Sequence, residues 1–162
     1  QHDPVTSWRE WRKEVATRHP GLLVLLAHTE LSQREPALLI GTQSLLARPD
    51  VSSKVVRGPN DAAPIVVLMA CASGSQGDAF GSLPGTFTAH GAGAVVATLT
   101  KIAGRHGAIA SAEVMRALST AGAQGRSVGD ALLEVRRNLI ARGALLGLLL
   151  VGHGNTEIEV MH

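Results

Sequence analysis

Two residues with the chemistry of a nucleophile and a general base each follow an apolar run of the chain. Cys71, the only cysteine, follows Pro64-Ile-Val-Val-Leu-Met-Ala70, and His28 follows Gly21-Leu-Leu-Val-Leu-Leu-Ala27. If the two runs form neighbouring parallel strands, Cys71 and His28 emerge side by side at the carboxyl edge of a sheet, where open α/β folds place ligands and chemistry. The pattern therefore predicts a thiol nucleophile paired with a histidine.

The loop after Cys71 is rich in glycine. Gly74, Gly77 and Gly81 allow the backbone to approach a ligand closely, and the helix predicted after them directs N–H groups towards the same place. The loop is not a serine-hydrolase elbow, because no glycine stands two residues before Ser75, and it lacks the Gly-Lys-Ser/Thr end of a P-loop. Taken singly, Cys71 is as readily an inert core thiol, and a lone histidine at a strand end is more often structural.

The composition is that of one α/β domain with an aliphatic core. The 162 residues are 45% hydrophobic but only 2% aromatic, so Leu, Val, Ala and Ile must build the core. Continuous aliphatic runs are typical of parallel strands that are buried on both faces. A single cysteine excludes an internal disulfide framework and a cysteine-rich zinc site, and it favours a reducing, cytoplasmic setting.

Charge and hydropathy limit the classes of partner. The 15 basic and 13 acidic residues are scattered without a basic block, so we expect no direct nucleic-acid contact. No apolar run approaches the roughly 18 residues of a membrane span, and no signal peptide opens the chain. We therefore expect a soluble protein that does not contact a membrane.

Helix and strand patterns alternate along the chain, as in an α/β sheet. The predicted strands cover residues 22–27, 65–70, 94–100 and 144–151, with a short hairpin or edge piece at 37–40. The last of these runs is interpreted as a buried central strand. The predicted helices lie within the leading segment 1–20 and at 82–91, 111–121 and 127–142. Their expected caps are Thr6 or Ser7, Ser82, and a capping box of Ser127 with Asp130.

Four motifs occur in order along the chain. Val66-Val-Leu-Met-Ala-Cys71-Ala-Ser-Gly74 joins a strand to an Ala-Cys-x-x-Gly turn, and residues 86–102 join a helix to a strand. Gly125-Arg-Ser-Val-Gly-Asp-Ala-Leu132 opens a helix, and residues 146–152 form an apolar run that ends in a glycine corner. From about Gly21 to Gly154, the chain resembles the carboxyl-terminal portion of the CHAT domain, a caspase-like family of clan CD cysteine peptidases related to separase.

The resemblance implies a caspase-hemoglobinase-like fold, which is a three-layer α/β sandwich with a mostly parallel sheet flanked by helices. It implies one domain over 1–162 that lacks the family's first strands, so another segment or a second chain is expected to complete the sheet. It also implies a cysteine endopeptidase that acts through a Cys/His dyad and a thioester acyl-enzyme, without a metal or organic cofactor. The implied partners are a protein substrate and a regulatory segment or repeat domain.

The family's site residues carry over to named positions of this chain. Cys71 would be the nucleophile, and His28 would stabilise its thiolate and protonate the departing amine. The backbone N–H groups of Cys71 and Thr29 would stabilise the oxyanion. The implied substrate-binding residues are Ala72, Ser73, Asp78, Lys101 and Arg105.

The chain departs from the family pattern at three places. Thr29 stands where a glycine normally follows the histidine, Thr100 replaces a tryptophan, and residues 101–106 lack the carboxylates that commonly follow that strand. Thr29 favours the alternative of a weakly active or inactive scaffold. The glycine-rich loop from Gly74 to Gly81 favours a third function, a small-anion sensor.

Overall fold

The computed structural model describes residues 4–32, 35–57, 63–69, 82–99 and 104–160. The strands are β1 (Leu22–Leu25), β2 (His28–Ser32), β3 (Glu35–Ile40), β4 (Ser44–Ala47), β5 (Ile65–Leu68), β6 (Ala94–Thr98) and β7 (Leu150–Gly154). The helices are α1 (Trp8–Arg18), α2 (Ser53–Val56), α3 (Leu83–Ala89), α4 (Gly104–Ala123) and α5 (Val128–Ala141). Short 3₁₀ turns lie at Arg48–Asp50 and Leu145–Leu149.

Four of these strands form the central sheet, in the order β1-β5-β6-β7. Strands β1, β5 and β6 run parallel, with Leu25 opposite Leu68 and Leu68 opposite Ala97, whereas β7 runs antiparallel to β6. Strands β5 and β6 are buried along their whole length, which explains why both are continuous aliphatic runs in the sequence. The prediction of a mixed α/β fold with a mostly parallel sheet is confirmed.

Helices cover both faces of the central sheet. On one face, Leu25 and Leu68 belong to a core that includes Phe87 of α3 and buried residues of α1 and α2. On the other face, Val67 and Val96 belong to a second core built with α4 and α5. The sheet therefore lies between two apolar layers.

Strands β2, β3 and β4 form a second, antiparallel sheet. Helix α1 holds it in place, because the indole N–H of Trp8 donates to the carbonyl oxygen of Leu38 at 3.2 Å. The sequence pattern predicts only a short hairpin or edge piece here. The polar residues after His28 carry no strand signal, and they form β2 because β3 supplies partners for their backbone groups.

Helix caps follow the sequence closely. The N–H of Glu10 donates to Ser7 Oγ at 3.3 Å, and Ser127 and Asp130 form the predicted capping box at the start of α5. Helix α4 begins at Gly104, whereas the pattern predicts a start at Ser111. Glycine disfavours helix, so the glycines at the start of α4 hide its first turns from a sequence-based prediction.

The prediction of a buried central strand at 144–151 is wrong. Residues Leu145–Leu149 form a 3₁₀ turn, and β7 begins only at Leu150, at an edge of the described central sheet. Gly147 packs so closely on α5 that a Cβ there would lie 2.7 Å from the carbonyl oxygen of Arg136. The exposed Leu145 and Leu148 stand three residues apart, which suits a 3₁₀ turn and not a strand.

Candidate active site

The carboxyl edge of the central sheet is built by β1 and β5. The two strands are parallel neighbours with Leu25 opposite Leu68, and the N–H of Met69 donates to the carbonyl oxygen of Leu25 at 3.0 Å. This confirms the prediction that the two apolar runs are adjacent parallel strands. The edge they share is where open α/β folds bind ligands.

His28 lies three residues after Leu25, as the first residue of β2. Its side chain is exposed, and its backbone is paired opposite Leu39 of β3. The histidine thus stands where the chain passes from the central sheet to the second sheet. Pairing with β3 fixes its backbone while the imidazole stays accessible to solvent.

Cys71 lies outside the described residues, as do Ala72, Ser73, Asp78 and Lys101. Arg105 falls within α4, but its side chain is also outside the description. By sequence, Cys71 stands three residues after Leu68, just as His28 stands three residues after Leu25, the register partner of Leu68. The Cys71–His28 dyad and the substrate-binding assignments stay predictions. Their basis is that β1 and β5, which precede the two dyad residues, are neighbouring parallel strands.

Thr29 adopts an ordinary strand conformation within β2, opposite Leu38. Among the described non-glycine residues, only His19 has a positive φ. A β-branched side chain therefore fits without strain at the position where the family pattern has glycine. The hydroxyl Oγ1 of Thr29 is buried and has no hydrogen-bond partner within the described part of the chain, which carries a free-energy cost.

The start of α3 bears on the anion-sensor alternative. Ser82 caps this helix as predicted, and its Oγ accepts the N–H of Gly85 at 3.2 Å. One of the first-turn N–H groups that would face a bound anion is therefore already satisfied by the chain itself. The described end of the loop gives the sensor alternative no added support.

Two other histidines lie away from the edge that carries His28. His90 is the C-cap of α3. His153 of β7 pairs with Val95 near the amino end of β6, so it belongs to the opposite edge of the sheet. Its Nε2 is buried without a partner in the described chain, and burial lowers the pKa of its imidazole. The flanking glycines in the sequence give no sign of this burial.

The described ranges contain neither a metal-binding cluster nor a membrane-spanning helix. No three His, Cys, Asp or Glu side chains there lie close enough together to hold one metal ion. Of the helices described, none combines the length and the apolar character that a membrane crossing requires.

A comparison with known protein families identifies this chain's relatives by sequence. The model described as CHAT domain matches residues 3–144, which is most of the 162-residue chain. The matched range includes His28, Cys71 and the parallel strands β1, β5 and β6. The comparison with curated proteins finds no match.

Proposed function

The chain belongs to the CHAT domain family, and from this membership we propose that it is a cysteine endopeptidase that uses Cys71 and His28. The observation that carries the proposal is the parallel pairing of β1 with β5, in which Leu25 is opposite Leu68. Each of these leucines precedes one member of the dyad by three residues. Because His28 and Cys71 follow the Leu25–Leu68 pair at the same distance in sequence, we expect their side chains to lie together at the carboxyl ends of the two strands and to act on one substrate.

The finer fold that we propose is the caspase-like three-layer sandwich. Support comes from the two apolar cores, one on each face of the central sheet. A single cysteine that must stay reduced to react also supports a reducing compartment, and we propose the cytoplasm. The proposed partners are a protein substrate, a regulatory segment or repeat domain, and a second chain that extends the sheet.

The proposed reaction begins with the Cys71 thiolate, which His28 stabilises as an imidazolium. The Sγ attacks the carbonyl carbon of the scissile peptide bond and forms a tetrahedral intermediate. Its collapse breaks the C–N bond, and His28 gives its proton to the departing amine. A water molecule then attacks the thioester carbonyl and passes a proton to His28. The C–S bond breaks, which releases the carboxylic acid product and restores the thiolate.

The oxyanion of each tetrahedral intermediate needs hydrogen-bond donors. We assign this role to the backbone N–H groups of Cys71 and Thr29, and one such donor contributes typically about 3 kcal/mol. The extended backbone of Thr29 within β2 supports the assignment, because no left-handed conformation is needed at this position. The proposed substrate contacts are those of Ala72, Ser73, Asp78, Lys101 and Arg105.

An inactive or weakly active CHAT scaffold is the second candidate function. Its supporting observation is Thr29, which brings a half-buried side chain next to His28 where the family pattern has none. A scaffold would keep the sheet and its cores but would not acylate.

Reaction with an electrophilic peptide tests the proposal. The full chain is incubated with peptidyl acyloxymethyl ketones of varied sequence, and intact mass spectrometry counts the adducts. We expect one adduct, located on Cys71 and absent from the Cys71→Ala variant, with the melting temperature nearly unchanged in that variant. Iodoacetamide serves as the control. An inactive scaffold with an accessible thiol would also react with iodoacetamide, but its reaction with the peptidyl ketones would be no faster than that. Peptide cleavage that persists in Cys71→Ala would contradict the proposal.

A further inference from the structure

Helix α5 and the 3₁₀ turn that follows it expose large apolar side chains next to one another. Leu133 and Ile140 lie seven residues apart on the same side of α5, and both are exposed. Leu145 and Leu148 of the turn are 71% and 52% exposed. The turn packs on the helix, since a Cβ on Gly147 would lie 3.1 Å from Ile140 Cγ1. The four exposed side chains therefore form one apolar surface, the α5 patch.

Arginine side chains lie within the α5 patch. Arg136 and Arg137 stand between Leu133 and Ile140 and share their side of the helix, because residues three and four apart are neighbours on a helix surface. Neither arginine forms an ion pair among the residues that the structure describes. Leu133 and Arg137 also line a depression of about 260 Å³ on the surface. The patch thus offers apolar contacts, two unpaired cations and a recess for a side chain.

The described carboxylates near the α5 patch are already paired with other arginines. Glu113 of α4 pairs with Arg142 at 3.0 Å and also with Arg116, so one carboxylate serves two cations. Glu134 of α5 pairs with Arg126 at 2.9 Å. The described ion pairs therefore leave the surface around the patch positively charged.

We propose that the α5 patch binds an acidic, apolar segment of a partner protein. Aliphatic side chains of this segment cover Ile140 and the leucines, and its Asp or Glu side chains pair with Arg136 and Arg137. Arginine suits this role because its planar guanidinium binds a carboxylate through two parallel hydrogen bonds. A second copy of this chain fits poorly, since it would bring an equally basic surface against this one.

Other ligands of a basic surface match the α5 patch less well. A membrane-binding helix turns a long apolar face outwards, whereas the continuous apolar stripe of α5 is buried in the core. Single-stranded nucleic acid stacks its bases on aromatic side chains, but the exposed apolar residues here are aliphatic. A protein segment can combine aliphatic side chains with carboxylates, so it matches both features of the patch.

Selection from a random peptide library tests the chemistry of the partner. The full chain with Cys71→Ala is immobilised, because this substitution removes the proposed nucleophile and keeps the peptides intact. We expect the enriched peptides to combine several Asp or Glu residues with Leu, Ile or Val, and to bind less tightly as added salt screens the charges. Enrichment of basic or uncharged peptides, or no enrichment at all, would overturn the proposal.

Substitutions locate the binding site of an enriched peptide. Leu148→Ser and Arg137→Glu should each raise its dissociation constant by about tenfold or more. The matched controls are Leu26→Ser and Arg9→Glu, which change an exposed leucine and an exposed arginine outside α5. They should leave the dissociation constant unchanged, and far-UV circular dichroism checks that all four variants fold. Equal effects of the patch and control substitutions would contradict binding at the α5 patch.

Two further measurements test the other ligands. The unmodified chain should not float with vesicles of phosphatidylserine and phosphatidylcholine, and its sedimentation should show no dimer that Leu148→Ser dissociates. Vesicle binding that Leu148→Ser abolishes would assign the patch to a membrane, and such a dimer would assign it to a second copy. Either result would overturn the proposal. None of these measurements requires peptidase activity, so their outcome is independent of the proposed function.

Discussion

Leu25 of β1 and Leu68 of β5 are register partners, and the sequence distance from this pair to His28 equals its distance to Cys71. Parallel strands advance by the same rise per residue. The three-residue segments that lead to His28 and to Cys71 therefore start at the same height in the sheet. This relationship makes His28, among the histidines that the structure describes, the one whose position matches a nucleophile at Cys71.

Replacing His28 by alanine should therefore slow attack by the Cys71 thiol. We expect the second-order rate constant for alkylation by a peptidyl acyloxymethyl ketone to fall by about 100-fold or more at neutral pH, because the thiolate loses its cationic partner. His90→Ala is the control, since His90 caps α3 away from the carboxyl edge. Equal rates for His28→Ala and the unmodified chain would exclude the dyad.

The hydroxyl of Thr29 should weaken the fold. Its Oγ1 is buried without a partner in the described chain, so Thr29→Val removes an unsatisfied polar group while keeping the shape. We expect the free energy of unfolding in urea to rise by about 1 kcal/mol. Thr29→Ser keeps the hydroxyl and should show no such gain. A loss of stability in Thr29→Val would mean that the hydroxyl has a partner in the folded chain.

Two glycine-to-alanine substitutions should have opposite effects on stability. At Gly147, a Cβ would meet the Arg136 carbonyl oxygen at 2.7 Å, so we expect Gly147→Ala to lower the free energy of unfolding by about 1–3 kcal/mol. At Gly107 in α4, no described atom outside the helix's own backbone and the adjacent residues lies within 4 Å of the added Cβ, so Gly107→Ala should be stabilising by up to about 1 kcal/mol. The same sign for both variants would contradict the packing of Gly147 on α5.

The parts of the fold that the sequence predicts are those with local causes. Strands β5 and β6 are found as continuous aliphatic runs because both faces are buried, and α5 is found because Ser127 and Asp130 form a local capping box. Strands β1 and β5 are likewise aliphatic runs in the sequence, which is why their pairing could be predicted. This pairing brings His28 to the carboxyl end of the central sheet.

The parts that the sequence misses depend on distant partners. Strand β2 is polar and forms only because β3 pairs with it, and the 3₁₀ turn at Leu145–Leu149 depends on the contact between Gly147 and α5. The burial of His153 Nε2 is likewise created by tertiary packing. None of these contacts leaves a periodic signal along the chain, so pattern analysis cannot find them.

Acid should destabilise the fold through His153. Burial lowers the pKa of this imidazole below its ordinary value of 6.5, and its buried Nε2 has no partner among the described residues. As the pH falls below 6.5, the unfolded chain takes up a proton that the folded chain does not yet bind. Stability is therefore complete above this pH and decreases until the pH reaches the lowered pKa.

The pH dependence of the unfolding free energy measures this effect. The measurement runs from pH 7.5 to pH 5, which is about one unit or more on each side of the ordinary histidine pKa. Over this range, the His153→Gln variant should lose less unfolding free energy than the unmodified chain. His106→Gln is the control, because His106 is exposed, and it should keep the original slope. An unchanged slope in His153→Gln would assign the acid sensitivity to other groups.

The segment after β6 should determine which residue precedes the scissile bond. The resemblance to separase implies that acidic residues there accept a basic side chain, but residues 101–106 of this chain contain no carboxylate. A guanidinium or ammonium buried without a counter-charge is unfavourable, commonly by several kcal/mol. Substrates with Arg or Lys before the cleaved bond should therefore be disfavoured, and Lys101 or Arg105 should accept an acidic side chain unless the pocket is apolar.

A peptide library incubated with the active chain measures this preference. We expect cleavage after acidic or apolar residues to exceed cleavage after basic ones by about tenfold or more, which corresponds to roughly 1.4 kcal/mol of transition-state binding. Arg105→Glu should move the preference towards basic residues, because it supplies the missing counter-charge. Asp78→Asn is the matched control, since Asp78 is the nearby carboxylate that follows Cys71 in the sequence. Dominant cleavage after Arg or Lys that disappears in Asp78→Asn would assign the counter-charge to Asp78 and refute the prediction.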